Sequence, residues 1–313
     1  MQTTLPGVVR ASGITIIRVS GEDAVKFLHG QMSQAIEGLG DRTVLAGYCS
    51  PKGRLLAVMR AWMDGADVML ALPRPIVEGF LKRIRMYVLR AKVVFTPLEP
   101  APQAVLFLGA AGEAAAASLG LTLPAPGERK SENGWTLLGL PAAQAIEGFS
   151  AGGSRTLAIA PEGTALPFEP ADDAWRAASS IAAGVPQVLP ETREKFVPQH
   201  VNLELVGGVS FRKGCYPGQE VISRVEHIGE TNRRAAVGRI AVAEAPLPGA
   251  PVYAKGEESG SVVLAAKIGD EALVLYSATL DAIEAGVSLT PDGAVLTREP
   301  LPYRYRNVLK EPE

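Results

Sequence analysis

The sequence predicts a mixed α+β protein of more than one domain that ends in an all-β part. Three observations lead there. A chain of 313 residues exceeds the usual reach of one hydrophobic core. Up to about residue 234, strand-like runs alternate with apolar residues at helical spacing. After Arg234 only short strands remain between Gly/Pro turns, as in a small barrel or sandwich.

The elements follow in order. Residues 13–20 are rich in Ile and Val and read as a strand. Ser20-Gly21-Glu22-Asp23 then opens a helix with Ala24, Phe27, Leu28 and Met32 on one side. Strands over 43–49 and 54–63 flank Ser50-Pro51-Lys52-Gly53, a hairpin signal. A strand over 67–72 leads through Pro73 and Pro75 into a helix over 76–89, with Phe80, Ile84, Tyr87 and Val88 inward. Strands are expected over 92–98 and 104–109, and an alanine-rich helix over 111–119. Strands over 135–140 and 155–160 precede a helix over 172–184 that stops at Gly184 before Pro186. Residues 186–218 carry many Pro and Gly and little periodicity, an irregular connection of the kind that carries function. Short strands follow over 235–243, 251–253, 260–266, 272–277 and 294–298, and the charged tail from Leu301 is expected to be loosely held.

Composition narrows the function. The chain is 47% hydrophobic and 20% charged with a formal net charge of −2, which excludes a globally basic nucleic-acid binder. Two cysteines, Cys49 and Cys215, make no disulfide framework and suit a reducing compartment. No window approaches the roughly 18 uninterrupted apolar residues of a membrane span, and no basic stretch with a long apolar run opens the chain. The expectation is a cytoplasmic protein with no membrane partner. His29, His200 and His227 are far apart and neither cysteine has a ligand-spaced neighbour, so no resident metal is expected, although Cys215 could touch an iron–sulfur cluster transiently. Neither a dinucleotide fingerprint, a Walker loop nor a nucleophile elbow occurs.

The chemistry concentrates in Lys213-Gly214-Cys215-Tyr216-Pro217-Gly218-Gln219-Glu220. Two glycines and a proline shape a loop holding a thiol, an ammonium, a phenol, an amide and a carboxylate. Cationic Arg212 and Lys213 favour the thiolate of Cys215; the other reading makes Cys215 a small buried apolar residue. Tyr48 to Arg54 pairs an aromatic with two cations on a hairpin, and Pro198 to Glu204 sets amides beside a carboxylate, which suits a guanidine-like pterin edge. A basic helix over 82–92 is expected, with five positive charges and no acid, facing either solvent or a polyanion such as nucleic acid.

Together these residues resemble the YgfZ-type folate-binding proteins, relatives of the glycine-cleavage aminomethyltransferase. The octet with Arg224 carries the resemblance. Gly21 to Gln31, Ser50 to Arg54, Tyr87 to Val93 and Phe196 to Glu204 support it in order, over about residues 5–235. The resemblance implies a three-domain ring around a channel that binds a tetrahydrofolate. Its first α+β domain would comprise 1–48 and 101–190, its second 49–100 and 191–230, and a C-terminal β-barrel 231–313. Cys215 and Lys213 would be the reactive residues, with Tyr48, Arg54, Asn202, Glu204, Tyr216, Gln219, Glu220 and Arg224 around the folate. The implied role is accessory, in assembly or repair of iron–sulfur proteins, including enzymes that modify tRNA, so any tRNA contact is indirect. The alternatives are a true aminomethyltransferase and a tRNA- or protein-binding module with a structural cysteine. Two departures stand out. No acid lies near Gly53 to Ala57 before Asp64, where aminomethyl transfer needs a carboxylate. And Ser180 stands where the family has arginine before Ile-x-x-Gly, with Arg176 four residues earlier.

Overall fold

The computed structural model describes residues 6–227 and 231–305. The first strand, β1 (Val8–Arg10), leaves its sequence neighbours to pair with a later segment. Next come β2 (Ile14–Ser20), α1 (Ala24–Gln31), β3 (Thr43–Cys49), β4 (Leu55–Asp64), β5 (Asp67–Pro73), α2 (Val77–Arg85) and β6 (Val94–Pro97). Their strands form one antiparallel sheet in the order β3-β4-β5-β2-β6. Alternation along β4 divides its residues by face. Ala57, Met59 and Ala61 join Ile17, Leu70 and the helix residues Leu28 and Phe80 in one core. Trp62 points the opposite way, with Ile16, Met69 and Ala71.

A second sheet follows from β7 (Ala104–Leu108), α3 (Gly109–Ser118), β8 (Arg129–Glu132), β9 (Trp135–Ile146) and β10 (Ser150–Ile159), ordered β1-β7-β10-β9-β8. Leu106, Leu138, Leu140 and Leu157 of its inner face meet Trp62, Met69 and Ala71 of the first sheet. Phe107, Leu137 and Ala158 face outward onto Ala116 of α3. Helix α4 (Ala174–Ala182) then leads into an irregular stretch and α5 (Gln219–His227). The third sheet holds β11 (Arg233–Ala241), β12 (Pro251–Ala254), β13 (Glu257–Ile268), β14 (Glu271–Thr279) and β15 (Thr297–Glu299), with α6 (Leu280–Ala285) after β14. Its order is β12-β13-β14-β11-β15, with Ser288 bridging to Tyr253 and to Val295. The molecule is therefore mixed α+β with three antiparallel sheets.

One apolar cluster joins all three. Leu45, Leu55 and Val58 of the first sheet, Ile146 of the second, and Val237, Val263 and Leu275 of the third meet around Ala178, Ile181 and Ala182 of α4. Alanine at two of these α4 positions lets the backbones approach closely. Residues 196–209 add Phe196, Val201 and Leu203. Within that stretch Asn202 sits at φ 58°, a left-handed conformation that asparagine tolerates better than most residues. Its Nδ2 donates to Ala235 O at 2.8 Å and its Oδ1 accepts from Ala235 N at 3.3 Å, tying the stretch to β11.

Several expectations change. The border expected between 48 and 49 falls inside the β3–β4 hairpin, and 14–97 share one sheet, because the Ser50-to-Gly53 turn pairs the strands on either side. The helix expected over 76–89 ends at Arg85; the chain reverses after it, with Leu89 at φ 45° and the Arg85 guanidinium donating to Phe95 O at 2.9 Å. The basic run 82–92 is thus not a single helix. Gln219 and Glu220 belong to α5 rather than to a loop. The tail is anchored as far as it is described: Tyr303 Oη donates to Gly184 O and Tyr305 Oη to Ala235 O, both at 2.8 Å, while 306–313 lie outside the described residues. Among the described residues no helix is long and apolar enough to cross a membrane.

Replacing Asn202 with alanine strands the N–H of Ala235 inside the core and leaves its carbonyl to Tyr305 Oη. Urea denaturation should show a loss of about 1–3 kcal/mol, with the slope against urea unchanged.

Candidate functional site

The octet lies where separate sequence motifs converge. Residues 207–213 run over the connection from α1 to β3: Ser33 Oγ donates to Gly208 O at 2.6 Å, Ser210 N to Ser33 O at 2.8 Å, and Gln34 Nε2 to Gly207 O at 2.7 Å. Lys213 then reaches the C-terminal end of α1, donating from Nζ to His29 O and, at 2.6 Å, to Met32 O. These carbonyls belong to the end of the helix, where intrahelical partners run out and a cation is favoured. The ammonium also lies 5.0 Å from the centre of the Tyr216 ring. Burial pushes Lys213 down to about 8, with Glu37 and Cys215 working against that shift. Tyr216 is buried, and its hydroxyl has no hydrogen-bond partner among the described residues; burial raises its pKa.

Between these two anchored residues Cys215 is exposed, and next to it Gly214 leaves open space. The other cysteine is the buried one: Cys49 lies in the central cluster, and burial raises its thiol to about 12. The far end of the octet seats on the β3–β4 turn. Gly218 takes φ +81°, and a Cβ there would stand 2.5 Å from Ser50 O and 2.6 Å from Gly53 Cα. Gly53 answers at φ +71° with a looser fit, 3.0 Å to the Val221 side chain. Gln199 Nε2 donates to Ile222 O at 2.8 Å, tying α5 to the 196–204 segment.

The other residues expected around a ligand have different duties. Asn202 holds β11, and its amide also donates to Tyr303 Oη at 3.3 Å. Glu204 is buried against Arg234 in an ion pair; burial raises its pKa and the guanidinium opposes that. Neither carboxylate nor amide is thus presented to a pterin edge. Tyr48 is packed edge-on against Phe80 at 5.5 Å in the first-sheet core, where burial raises it to about 12 and Arg83 hydrogen-bonds it. Arg54 is exposed and donates to Lys195 O at 2.6 Å. Glu220 and Arg224 pair with each other on the exposed side of α5 at 3.1 Å, and Gln219 opens that helix half-buried. Tyr216 alone of the expected ligand residues joins Cys215 and Lys213. Among the described residues no three His, Cys, Asp or Glu side chains gather as a metal site.

A cavity that sequence reading did not identify lies between the first two sheets. It measures about 100 Å³ and opens into about 640 Å³ of atom-free space. Leu45, Val58, Leu106, Leu140 and Leu157 make its walls apolar, and Arg60, Arg155, Arg176 and Ser180 are its ionic and hydroxyl groups. Arg60 comes from the middle of β4 and Arg155 from a bulge in β10. Arg155 donates to Pro141 O at 3.2 Å, Ser179 Oγ at 3.3 Å and Ser180 Oγ at 3.1 Å. A guanidinium from β10 therefore rests on the α4 position where the resembled family carries its arginine. Arg176 is held by both oxygens of Asp173, at 2.8 and 2.9 Å. The visible signal was one arginine inside the apolar run Leu55 to Trp62. An isolated charge there is costly unless something answers it.

The two glycines make a graded test. Gly218→Ala puts a methyl group onto backbone atoms and should lower the unfolding temperature, while Gly53→Ala, which meets the side chain of Val221, should do so less; differential scanning calorimetry on both variants checks the order.

No protein-family model matches the chain. Its sequence is 27% identical over 303 residues to the tRNA-modifying protein YgfZ of Escherichia coli O45:K1 (strain S88), covering 91% of this chain and 89% of that one. The protein of the same name from Escherichia coli strain K12 / DH10B matches over the same length and with the same identity. Among solved structures, glycine cleavage system aminomethyltransferase T from Bartonella henselae superposes with a TM-score of 0.70 at 15% identity, over 94% of this chain and 84% of that one. Along nine-tenths of its length the chain is thus similar in sequence to YgfZ proteins and in fold to aminomethyltransferase T.

Proposed function

We propose that the protein binds a reduced folate in the cavity between its first two sheets and acts as an accessory factor in maturing or repairing iron–sulfur proteins, tRNA-modifying enzymes among them, in the cytoplasm. The observation that carries this reading is the cavity: apolar walls with a few convergent polar groups are what a small-molecule site needs. Its place in a fold shared with aminomethyltransferase T, and relatives named for tRNA modification, support the ligand class and the pathway. In this reading the three sheets are the three domains of a ring, and the third, with Ser288 linking its strands, closes as a barrel.

The residues fit the ligand in part. Leu45, Val58, Leu106, Leu140 and Leu157 suit an apolar part of the ligand, and Ser180 with the arginines meets its oxygen acceptors. At about 100 Å³ the cavity admits only one end of a folate unless its lining side chains move. Bound there, a reduced folate supplies a carrier of one-carbon units. The protein's own chemistry lies with Cys215, exposed on a loop whose neighbours are anchored at Lys213 and Tyr216. A thiol displayed this way suits disulfide exchange or contact with an iron–sulfur centre on a client protein.

Aminomethyl transfer fits less well. That reaction needs a carboxylate to manage the proton at the folate nitrogen, and among the described residues no carboxylate lines the cavity; the strand that follows Gly53 brings Arg60 instead.

Calorimetric titration with 5-formyl-tetrahydrofolate should show one-to-one binding at roughly micromolar affinity, about −8 kcal/mol. Cys215→Ala should bind it equally well, yet fail to restore a tRNA-modifying iron–sulfur enzyme in cells lacking the protein. Absence of binding rejects the folate; steady methylene-tetrahydrofolate formation from an aminomethylated carrier protein would instead make the chain a transferase.

A further inference from the structure

Arg60 and Arg155 line the cavity from opposite sheets, and among the described residues no carboxylate answers either of them. Other buried guanidiniums meet carboxylates, although the Nε atoms of Arg83 and Arg129 are also without a partner among the described residues. Arg234, equally buried, has Glu204, and Arg176 has Asp173. Arg155 is held only by a carbonyl and two hydroxyls, and its Nε is buried with no partner at all. Arg60 is buried and lines the cavity with Val58, Met59 and Leu72, and its guanidinium has no hydrogen bond or ion pair among the described residues. Burial pushes Arg60 down to about 10; burial first, then the positive charges of Arg60 and Arg176, pushes Arg155 down to about 9. Both remain charged at neutral pH. Two like charges without a counterion between apolar sheets are unfavourable for the fold, so their retention calls for a group that neutralises them.

We propose that Arg60 and Arg155 form an anion-recognition site that clasps a carboxylate carried on an apolar, ring-bearing organic ligand. The planar fork of a guanidinium matches a carboxylate through paired hydrogen bonds. The vacant Nε of Arg155 and the unpaired Arg60 supply those donors, while the leucine and valine walls take the body of the ligand. If the ligand is a folate, the charged glutamyl end enters this cavity and the pterin lies outside it. That orientation rests on the folate reading, whereas the carboxylate site itself does not.

The test uses N-(4-aminobenzoyl)glutamate, which has the carboxylates without the pterin, and 6-methyl-tetrahydropterin, which has the pterin without the carboxylates. The full-length protein should bind the first, and Arg60→Met should weaken that binding roughly tenfold or more, the scale of a lost charge-assisted bond. Without ligand and at low salt, Arg60→Met should unfold at a temperature roughly 2–4 °C higher than the parent, since it removes an unanswered charge. A parent that ignores N-(4-aminobenzoyl)glutamate, an unchanged titration in Arg60→Met, or a lower unfolding temperature each overturns the proposal. Should Arg60→Met not fold, Arg60→Lys carries the test: an ammonium in place of the fork weakens the same titration, and an unchanged one overturns the site. The two readings fail separately. Equal binding of 5-formyl-tetrahydrofolate by parent and Arg60→Met keeps the folate and removes the arginine site. Arginine-dependent binding of N-(4-aminobenzoyl)glutamate without any binding of 5-formyl-tetrahydrofolate does the reverse. Tight binding of 6-methyl-tetrahydropterin that needs Arg60 would overturn the carboxylate assignment.

Discussion

The structure depends on one shared core. Each sheet has a face of its own to bury, but the cluster around Ala178, Ile181 and Ala182 draws side chains from all three. A five-stranded sheet with one or two short helices buries little by itself, so each sheet relies on the others' side chains at this point. The constraint reaches the functional loop directly. Tyr216 belongs to this cluster, as do Leu45 and Val58, which also wall the cavity. The thiol loop and the cavity are therefore set on the same packed body.

How much of this the sequence reveals depends on the range of the interaction responsible. Periodicity in Leu55 to Asp64 and turn chemistry at Ser50 to Gly53 are local, and both elements form where the pattern puts them. Val8 to Arg10 and Arg129 to Glu132 are strands only because distant partners accept them, and three or four residues hold no periodicity to read. The octet was legible as a shaped loop, since Gly218 needs its positive φ and Gly53 lies against it. The assignment of Asn202 and Glu204 was not. Their amide and carboxylate have the chemistry of ligand contacts, but the decision was made by Ala235 and Arg234, thirty residues downstream. The cavity was hidden for a similar reason: Arg60 and Arg155 lie 95 positions apart and meet only when two sheets face each other.

The buried charges show how differently one residue type is treated within one fold. Arg234 is matched by Glu204 and fixes β11 to the 196–204 segment, a structural duty. Removing either partner would leave an unanswered buried charge, the costly half of an ion pair. Lys213 is an intermediate case. Carbonyls at a helix end and a ring face hold its ammonium without a carboxylate at bonding distance, so it shapes the loop while its charge stays responsive to its surroundings.

The contrast between the two cysteines has a consequence for stoichiometry. Cys49 is sealed in the core with a thiol that resists ionisation, so it cannot serve as a resolving thiol for Cys215. In the folded chain Cys215 is the exposed thiol, so the bonds open to it are with a small thiol, a metal centre or a second protein, and each chain contributes a single equivalent. Such a bond persists until another molecule resolves it, which gives the encounter a lifetime set by the partner rather than by this chain.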